Sequence, residues 1–394
     1  MYKFPLGFNE YTEIEANAIK ELFIKGRLTQ GEVTNSYEKL LSKYFKTKYA
    51  IALNSGSSAN LLMLSALLYS NDSKLSLKKG DEVIVPAVSW ITTYSPIIQL
   101  GLIPKVVDID PFTFNIDTNA IKRAISKRTK CIFAVNLLGC PCDFKELKDI
   151  CNDYGLILLE DNCESMGAKF NNQYTGTFSL MSSQSTYMSH HISTIEGGFI
   201  LTDNDYFNDL LRSLRSHGWA RYLNKKSNLY KDTVSTDKDE ILPEDFLFLL
   251  PGYNLRTTEI NSQLGILQLP KLDKIIKSRR ETSASFREIL EPFKSEIYTQ
   301  SDPFLSSCFG FSLITKCKEL LYQLKISLNK NGFQTRPIVT GNILRHPVSK
   351  FFPNSKIQMI NADKLHFQGT YISNYFSSKN EALDAFSSTL NSLF

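Results

Sequence analysis

Leu156-Ile157-Leu158-Leu159-Glu160-Asp161-Asn162-Cys163-Glu164 is an unbroken apolar run that ends in acidic residues. Alternating runs bury one face, whereas a continuous run reads as a strand covered on both, the habit of parallel sheets. Six further strand candidates surround it: Tyr49–Leu53, Glu82–Val85, Lys105–Ile109, Lys130–Val135, Ser183–Met188 and Gly198–Thr202. Amphipathic helical patterns lie between most of them, as in Asp117–Ser126 and Asp143–Tyr154. The expectation is an α/β layer with a mostly parallel seven-stranded sheet.

Outward from that layer the pattern changes. The segment up to about Leu41 reads as helical and peripheral, and the polar stretch Lys225–Pro243 reads as a surface loop. Two helical patterns follow, Thr258–Leu269 and Leu272–Leu290, with Pro270 between them to break the run. Beyond Glu291 a strand-like Phe309–Ile314 and a helix-like Lys318–Asn331 suggest a smaller α+β domain. The expected division is residues 1–265 for the large domain and 266–394 for the small one.

A length of 394 residues suits two such domains. The net charge of +5 comes from 45 basic and 40 acidic residues spread along the chain, so no nucleic-acid partner is expected. Leu61–Tyr69, the most apolar stretch, is too short to span a bilayer, and the N-terminus has no apolar segment of signal-peptide length. No membrane partner is expected, and the cytoplasm is the default compartment. Seven cysteines without framework spacing agree with a reducing environment.

Three segments carry chemistry. Asn54-Ser55-Gly56-Ser57-Ser58-Ala59-Asn60 follows a strand and opens a helix. Free N–H groups at a helix start bind anions, and glycine lets the backbone approach. This turn either holds a phosphate or simply caps the helix. Asp161, at the carboxyl end of its strand, sits where open α/β sheets bind ligands; it either faces a protonated ring nitrogen or caps a helix. The third segment, Ser185-Thr186-Tyr187-Met188-Ser189-His190-His191, leads to Glu196-Gly197-Gly198 and holds two of the chain's five histidines. Adjacent histidines rarely point at one ion, and no further ligands are spaced around them, so no metal is expected.

Together these segments resemble the DegT/DnrJ/EryC1/StrS sugar aminotransferases, a branch of the aspartate-aminotransferase fold (fold-type I) of pyridoxal 5′-phosphate (PLP) enzymes. The resemblance runs from Gly31-Glu32-Val33 to Thr335-Arg336-Pro337-Ile338-Val339-Thr340-Gly341-Asn342, and includes Val85-Pro86-Ala87-Val88-Ser89-Trp90 and Leu250-Pro251-Gly252-Tyr253-Asn254. It implies that Gly56, Ser57 and Ser185 hold the cofactor phosphate, that Asp161 bonds the pyridine N–H, and that Trp90 stacks on the ring. Glu164 is implied to lie near the cofactor. Asn254 is implied to reach the phosphate of the other subunit in a homodimer with shared sites. His217, Arg221 and Arg256 are implied to face the substrate.

The family's covalent lysine stands shortly before Glu-Gly-Gly. Counting back from Glu196, that position is His190. A subset of the family, the ketosugar 3-dehydratases, carries histidine there. Imidazole can move protons near neutral pH but cannot anchor the cofactor covalently. The resemblance therefore implies noncovalent pyridoxamine 5′-phosphate (PMP) and PLP, and loss of the C3 hydroxyl from a 4-keto-6-deoxyhexose nucleotide. GDP-4-keto-6-deoxy-D-mannose is the favoured substrate, with L-glutamate restoring PMP and ammonia released. One histidine-bearing branch uses an iron–sulfur cluster and a reductase. No cysteine lies between Cys163 and Cys308, where that branch places its ligands, so no such partner is expected. Two rivals remain: an aminotransferase using another lysine, such as Lys169, and a sugar-nucleotide-binding protein without catalysis.

Overall fold

A computed structural model describes residues 2–7, 11–223, 229–230, 246–353 and 357–394. The expected loop at Lys225–Pro243 lies outside the described residues apart from Leu229 and Tyr230. Seven strands form the central sheet: β1 (Tyr49–Leu53), β2 (Glu82–Pro86), β3 (Ile103–Val107), β4 (Thr129–Val135), β5 (Ile157–Asp161), β8 (Met181–Ser185) and β9 (Gly198–Thr202). A two-stranded hairpin, β6 (Lys169–Phe170) with β7 (Gln173–Tyr174), branches off between β5 and β8. The order across the sheet is β1-β9-β8-β5-β4-β2-β3. The pairs β2–β3, β2–β4, β4–β5 and β5–β8 are parallel; β9 runs antiparallel to both its neighbours. All five β5 residues are buried, as a strand covered on both faces must be.

Two strands start earlier than the sequence pattern suggests. β3 begins at Ile103, where Gly101 in the left-handed region ends the preceding turn. β8 spans Met181–Ser185, so Thr186-Tyr187-Met188, the second half of the expected Ser183–Met188 strand, leaves the sheet as a loop. That shift puts Tyr187 to His190 beyond the strand's carboxyl end, the edge at which ligands bind.

The helices between strands follow from local signals. In Phe144–Tyr154, Asp143 accepts from the Glu146 N–H at the start, and Gly155 at φ 62° closes the end. Its buried residues, Phe144, Leu147, Ile150 and Cys151, share one face at helical spacing. At the edge of the sheet, Glu38 accepts the Ala52 N–H at 2.9 Å. Arg215 donates to the Ala52 carbonyl at 2.9 Å and Arg212 to the Ala50 carbonyl at 3.3 Å. Both arginines also pair with Glu38, at 2.6 and 2.7 Å.

The C-terminal region holds an antiparallel sheet of β10 (Ile297–Tyr298), β11 (Phe311–Thr315) and β12 (Gly369–Ile372). Phe286, Phe311, Phe333 and Phe386 form the centre of its core. The expected domain boundary at 265/266 falls inside helix Glu259–Gln268. Pro270 lies in a 3-10 turn, Leu269–Lys271, which leads into helix Leu272–Leu290. The first half of that helix packs with the large-sheet residues and its second half with the C-terminal core. No helix among the described residues is long and apolar enough to cross a membrane.

Candidate active site

A cavity of ≈ 250 Å³ opens beyond the carboxyl ends of β5 and β8. Its floor is the N-terminus of helix Gly56–Leu68. Ser55 caps that helix by accepting the Ser58 N–H at 3.0 Å. The turn presses against β8: a Cβ at Gly56 would lie 2.8 Å from both Cys163 Sγ and Ser185 Cβ, so only glycine fits. The side chains of Ser57 and Ser185 border the same floor, giving hydroxyls and a positive helix end at one place.

Asp161 closes the inner wall. Its Oδ2 accepts from Asn60 Nδ2 at 2.8 Å and from Thr93 Oγ1 at 2.7 Å, and its Oδ1 accepts the Cys163 N–H at 3.2 Å. Asn60 stands one helical turn beyond Gly56 and lines the cavity, and its own Oδ1 is buried without a partner among the described residues. Trp90 lies across from this wall with 55% of its surface exposed, an unusual state for so large an apolar ring. Glu164 accepts the Leu138 N–H at 3.0 Å. Burial, opposed by that bond and aided by the nearby Asp161 charge, pushes its carboxyl up to about 7.

His190 enters from the loop after β8. Thr186 donates its N–H to the Gly197 carbonyl at 3.0 Å and accepts the Thr194 N–H at 2.9 Å, closing the loop at its base. Ile195 is held at φ 72°, a strained conformation for a β-branched residue. Asn261 clamps it by donating to the carbonyls of Thr194 and Glu196 at 2.8 and 2.9 Å. His190 Nδ1 is buried with no partner among the described residues, which leaves Nε2 to face the cavity. Burial, and then the charge of Arg279, hold the imidazole down at about 3, so it is a free base at neutral pH. His191 points away: it is buried and its Nε2 meets the Ser307 carbonyl at 3.0 Å. That contact holds the His191 ring away from the cavity lining.

Seven of the residues expected at the site thus line one cavity: Gly56, Ser57, Trp90, Asp161, Glu164, Ser185 and His190. The other four lie in a separate cluster. Arg256 donates to Asn254 Oδ1 at 3.0 Å and lies 3.3 Å from His217 Nε2. The guanidinium groups of Arg221 and Arg256 both sit over the Trp219 ring, at 5.2 and 5.7 Å. Lys169 is also elsewhere, with its Nζ over the Tyr174 ring. Among the described cavity-lining residues there is no lysine.

The lining fits a definite kind of molecule. A helix N-terminus with serine hydroxyls suits a phosphate, a buried carboxylate suits a protonated ring nitrogen, and an exposed indole face suits a flat ring. The unpartnered Asn60 Oδ1 adds an acceptor beside Asp161. These are the requirements of a phosphorylated pyridine, and they match PLP and PMP.

The DegT/DnrJ/EryC1/StrS aminotransferase family description matches residues 9–390. The chain belongs to this family. It is 44% identical over 381 residues to GDP-4-keto-6-deoxy-D-mannose 3-dehydratase of Escherichia coli O55:H7, covering 95% of this chain and 96% of that one. Among solved structures, E. coli GDP-4-keto-6-deoxy-D-mannose-3-dehydratase with bound hydrated PLP superposes with a TM-score of 0.91 at 41% identity, over 99% of this chain and 100% of that one. A GDP-4-keto-6-deoxymannose-3-dehydratase with a trapped PLP-glutamate geminal diamine gives 0.90 at 41% identity, over 98% of this chain and 100% of that one. The aspartate-aminotransferase fold and PLP dependence of the DegT/DnrJ/EryC1/StrS family therefore apply here.

Sequence reasoning missed several residues of this DegT/DnrJ/EryC1/StrS site. Asn60 lay within the quoted turn, and its i,i+4 spacing from Gly56 places both on one helix face. Thr93 carries no motif and is found only by its bond to Asp161. Arg336, Val339 and Tyr371 reach the cavity from the C-terminal region. Arg336 stood in the quoted Thr335–Asn342 stretch without a role.

Proposed function

We propose that the chain is a PLP/PMP-dependent sugar-nucleotide 3-dehydratase, removing the C3 hydroxyl of a 4-keto-6-deoxyhexose nucleotide. GDP-4-keto-6-deoxy-D-mannose is the favoured substrate, with L-glutamate as amino donor. The observation that carries this is a histidine in the cavity, His190, set against the phosphate turn and Asp161, with no lysine among the described lining residues. When bound, the cofactor supplies an amine for the C4 ketone and a ring that accepts electrons. The chain's residues do the rest. The helix start at Gly56 and the hydroxyls of Ser57 and Ser185 hold the phosphate. Asp161 keeps the ring nitrogen protonated, and Trp90 covers a ring face. His190 Nε2 takes a proton and can return it to the departing C3 oxygen. Arg336, the one arginine or lysine among the described lining residues, meets a donor carboxylate.

Product analysis tests this reading. With glutamate carrying labelled nitrogen, each turnover yields a 4-keto-3,6-dideoxysugar nucleotide, one 2-oxoglutarate and one labelled ammonia, with no added reductase. Label retained at C4 of an intact 3-hydroxy sugar makes the chain an aminotransferase and overturns the assignment. In the same assay Arg336→Ala raises the KM for glutamate by about tenfold or more, the scale of one lost charged hydrogen bond.

The site is shared between two copies in this reading. Asn254, His217, Arg221 and Arg256 gather around Trp219 outside their own chain's cavity, beside exposed Phe248. Such a cationic and aromatic surface suits a partner's substrate site, with Asn254 reaching the partner's phosphate. Mixing an inactive His190 variant with an inactive Asn254 variant then restores activity, because one of the two hybrid sites is intact. No recovery after demonstrated subunit exchange means that each site is self-contained.

A further inference from the structure

Arg279 is 1% exposed, and no carboxylate of the described residues pairs with it. Burying a guanidinium without a counter-charge is costly, and proteins rarely keep one unless it is hydrogen-bonded. This one is: its NH1 group donates to the Phe309 carbonyl and to Asn374 Oδ1, each at 2.8 Å. Asn374 in turn donates to the Cys308 carbonyl at 2.8 Å and to Ser283 Oγ at 2.9 Å. Arg280, next along the helix, donates to the Ser306 carbonyl at 2.6 Å. Successive carbonyls from Ser306 to Phe309 are thereby held, with Cys308 kept at φ 52°, and His191 takes the Ser307 carbonyl.

The segment so fixed presents one side chain to the cavity, Phe309. Its ring packs edge-on to His190 with centroids 5.1 Å apart, and lies 5.8 Å from His191. We propose that Arg279 is a positioning residue for His190: its buried guanidinium, anchored through Phe309 and Asn374, fixes the aromatic ring against the imidazole and sets a positive charge behind it. The proposal rests on His190 being the proton-transfer group. A base without an acceptor at Nδ1 needs another device to hold its ring, and the Phe309 packing that Arg279 anchors supplies it. The arginine charge acts on His190 in the direction of the free base, second to burial. Tyr187 and His191 flank the imidazole on its own loop. Asp161, Glu164, Glu196, Arg336 and Tyr371 face it across the cavity.

Three variants of the full chain test this: Arg279→Met, Arg279→Lys and Asn374→Ala. The titration of His190 is read from hydrogen–deuterium exchange at its C2 carbon by mass spectrometry, without any need for turnover. Arg279→Met raises the midpoint by about one to two units, the usual reach of one nearby charge. Arg279→Lys leaves it low. Asn374→Ala keeps the charge and the midpoint but loosens Phe309, lowering kcat with KM for the sugar nucleotide unchanged. The acid limb of the dehydration rate moves with the midpoint in Arg279→Met. If that variant does not fold, Arg279→Gln replaces it, keeping a donor for the Phe309 carbonyl without the charge. An unmoved midpoint in a folded, uncharged variant overturns the proposal. A raised midpoint with an unchanged rate profile overturns the assignment of His190 as the base instead.

Discussion

His190→Asn is expected to slow loss of the C3 hydroxyl by about 10²–10⁴, the usual cost of removing a positioned general base. Asparagine keeps the polarity and much of the bulk, so the loop closed by Thr186 and clamped by Asn261 has no reason to collapse. What it lacks is a basic nitrogen. In the parent chain burial and Arg279 keep the imidazole unprotonated at neutral pH, ready to accept a proton without first losing one. The companion variant His190→Lys restores an amine at the family's covalent position. Reduction with borohydride and denaturation then leaves the cofactor on the variant but not on the parent. Dehydration at the parent rate in either variant would sink the role given to His190.

Asp161→Asn is expected to lower turnover by about 10²–10³, the scale measured when one preorganised electrostatic partner is removed. The change is nearly isosteric, yet the surroundings are built for an anion. Asn60 Nδ2 and Thr93 Oγ1 both donate to one carboxylate oxygen, and the Cys163 N–H donates to the other. A neutral amide can turn only one oxygen toward those donors, so its NH₂ group faces a donor on one side. It also offers no negative charge to a protonated ring nitrogen. Retention of cofactor through gel filtration and the rate of the glutamate half-reaction together report both losses. A variant that keeps cofactor and rate contradicts the pairing.

The large layer was legible because its strands are continuous apolar runs with capped helices between them; β5 and helix Phe144–Tyr154 lie within a residue or two of their expected bounds. The misplaced end of β8 shows the limit. Thr186-Tyr187-Met188 has good strand composition, yet the chain turns back through strained Ile195 to Gly198, and these residues lie outside the sheet. Within the site, residues tied to a turn or a strand end, such as Gly56 and Asp161, stood out in local sequence, with their roles supplied by the family resemblance. Thr93 acts through a bond to Asp161 across a long separation and no periodicity marks it, while the only sign of Asn60 was its i,i+4 spacing from Gly56. Arg336, Phe309 and Tyr371 reach the cavity through the packing of the C-terminal region on the large layer, which local pattern does not encode.

Three hydrogen-bonding groups along the outer side of β1 are already engaged. Glu38 takes the Ala52 N–H, while Arg215 and Arg212 take the carbonyls of Ala52 and Ala50. An open strand edge is a template on which another chain can add, and here the template is blunted by side chains of the same molecule. Two copies therefore cannot merge their sheets through β1 into one continuous sheet without first breaking a buried ion pair. The β1 edge, which could otherwise seed fibrous growth, is closed within each chain.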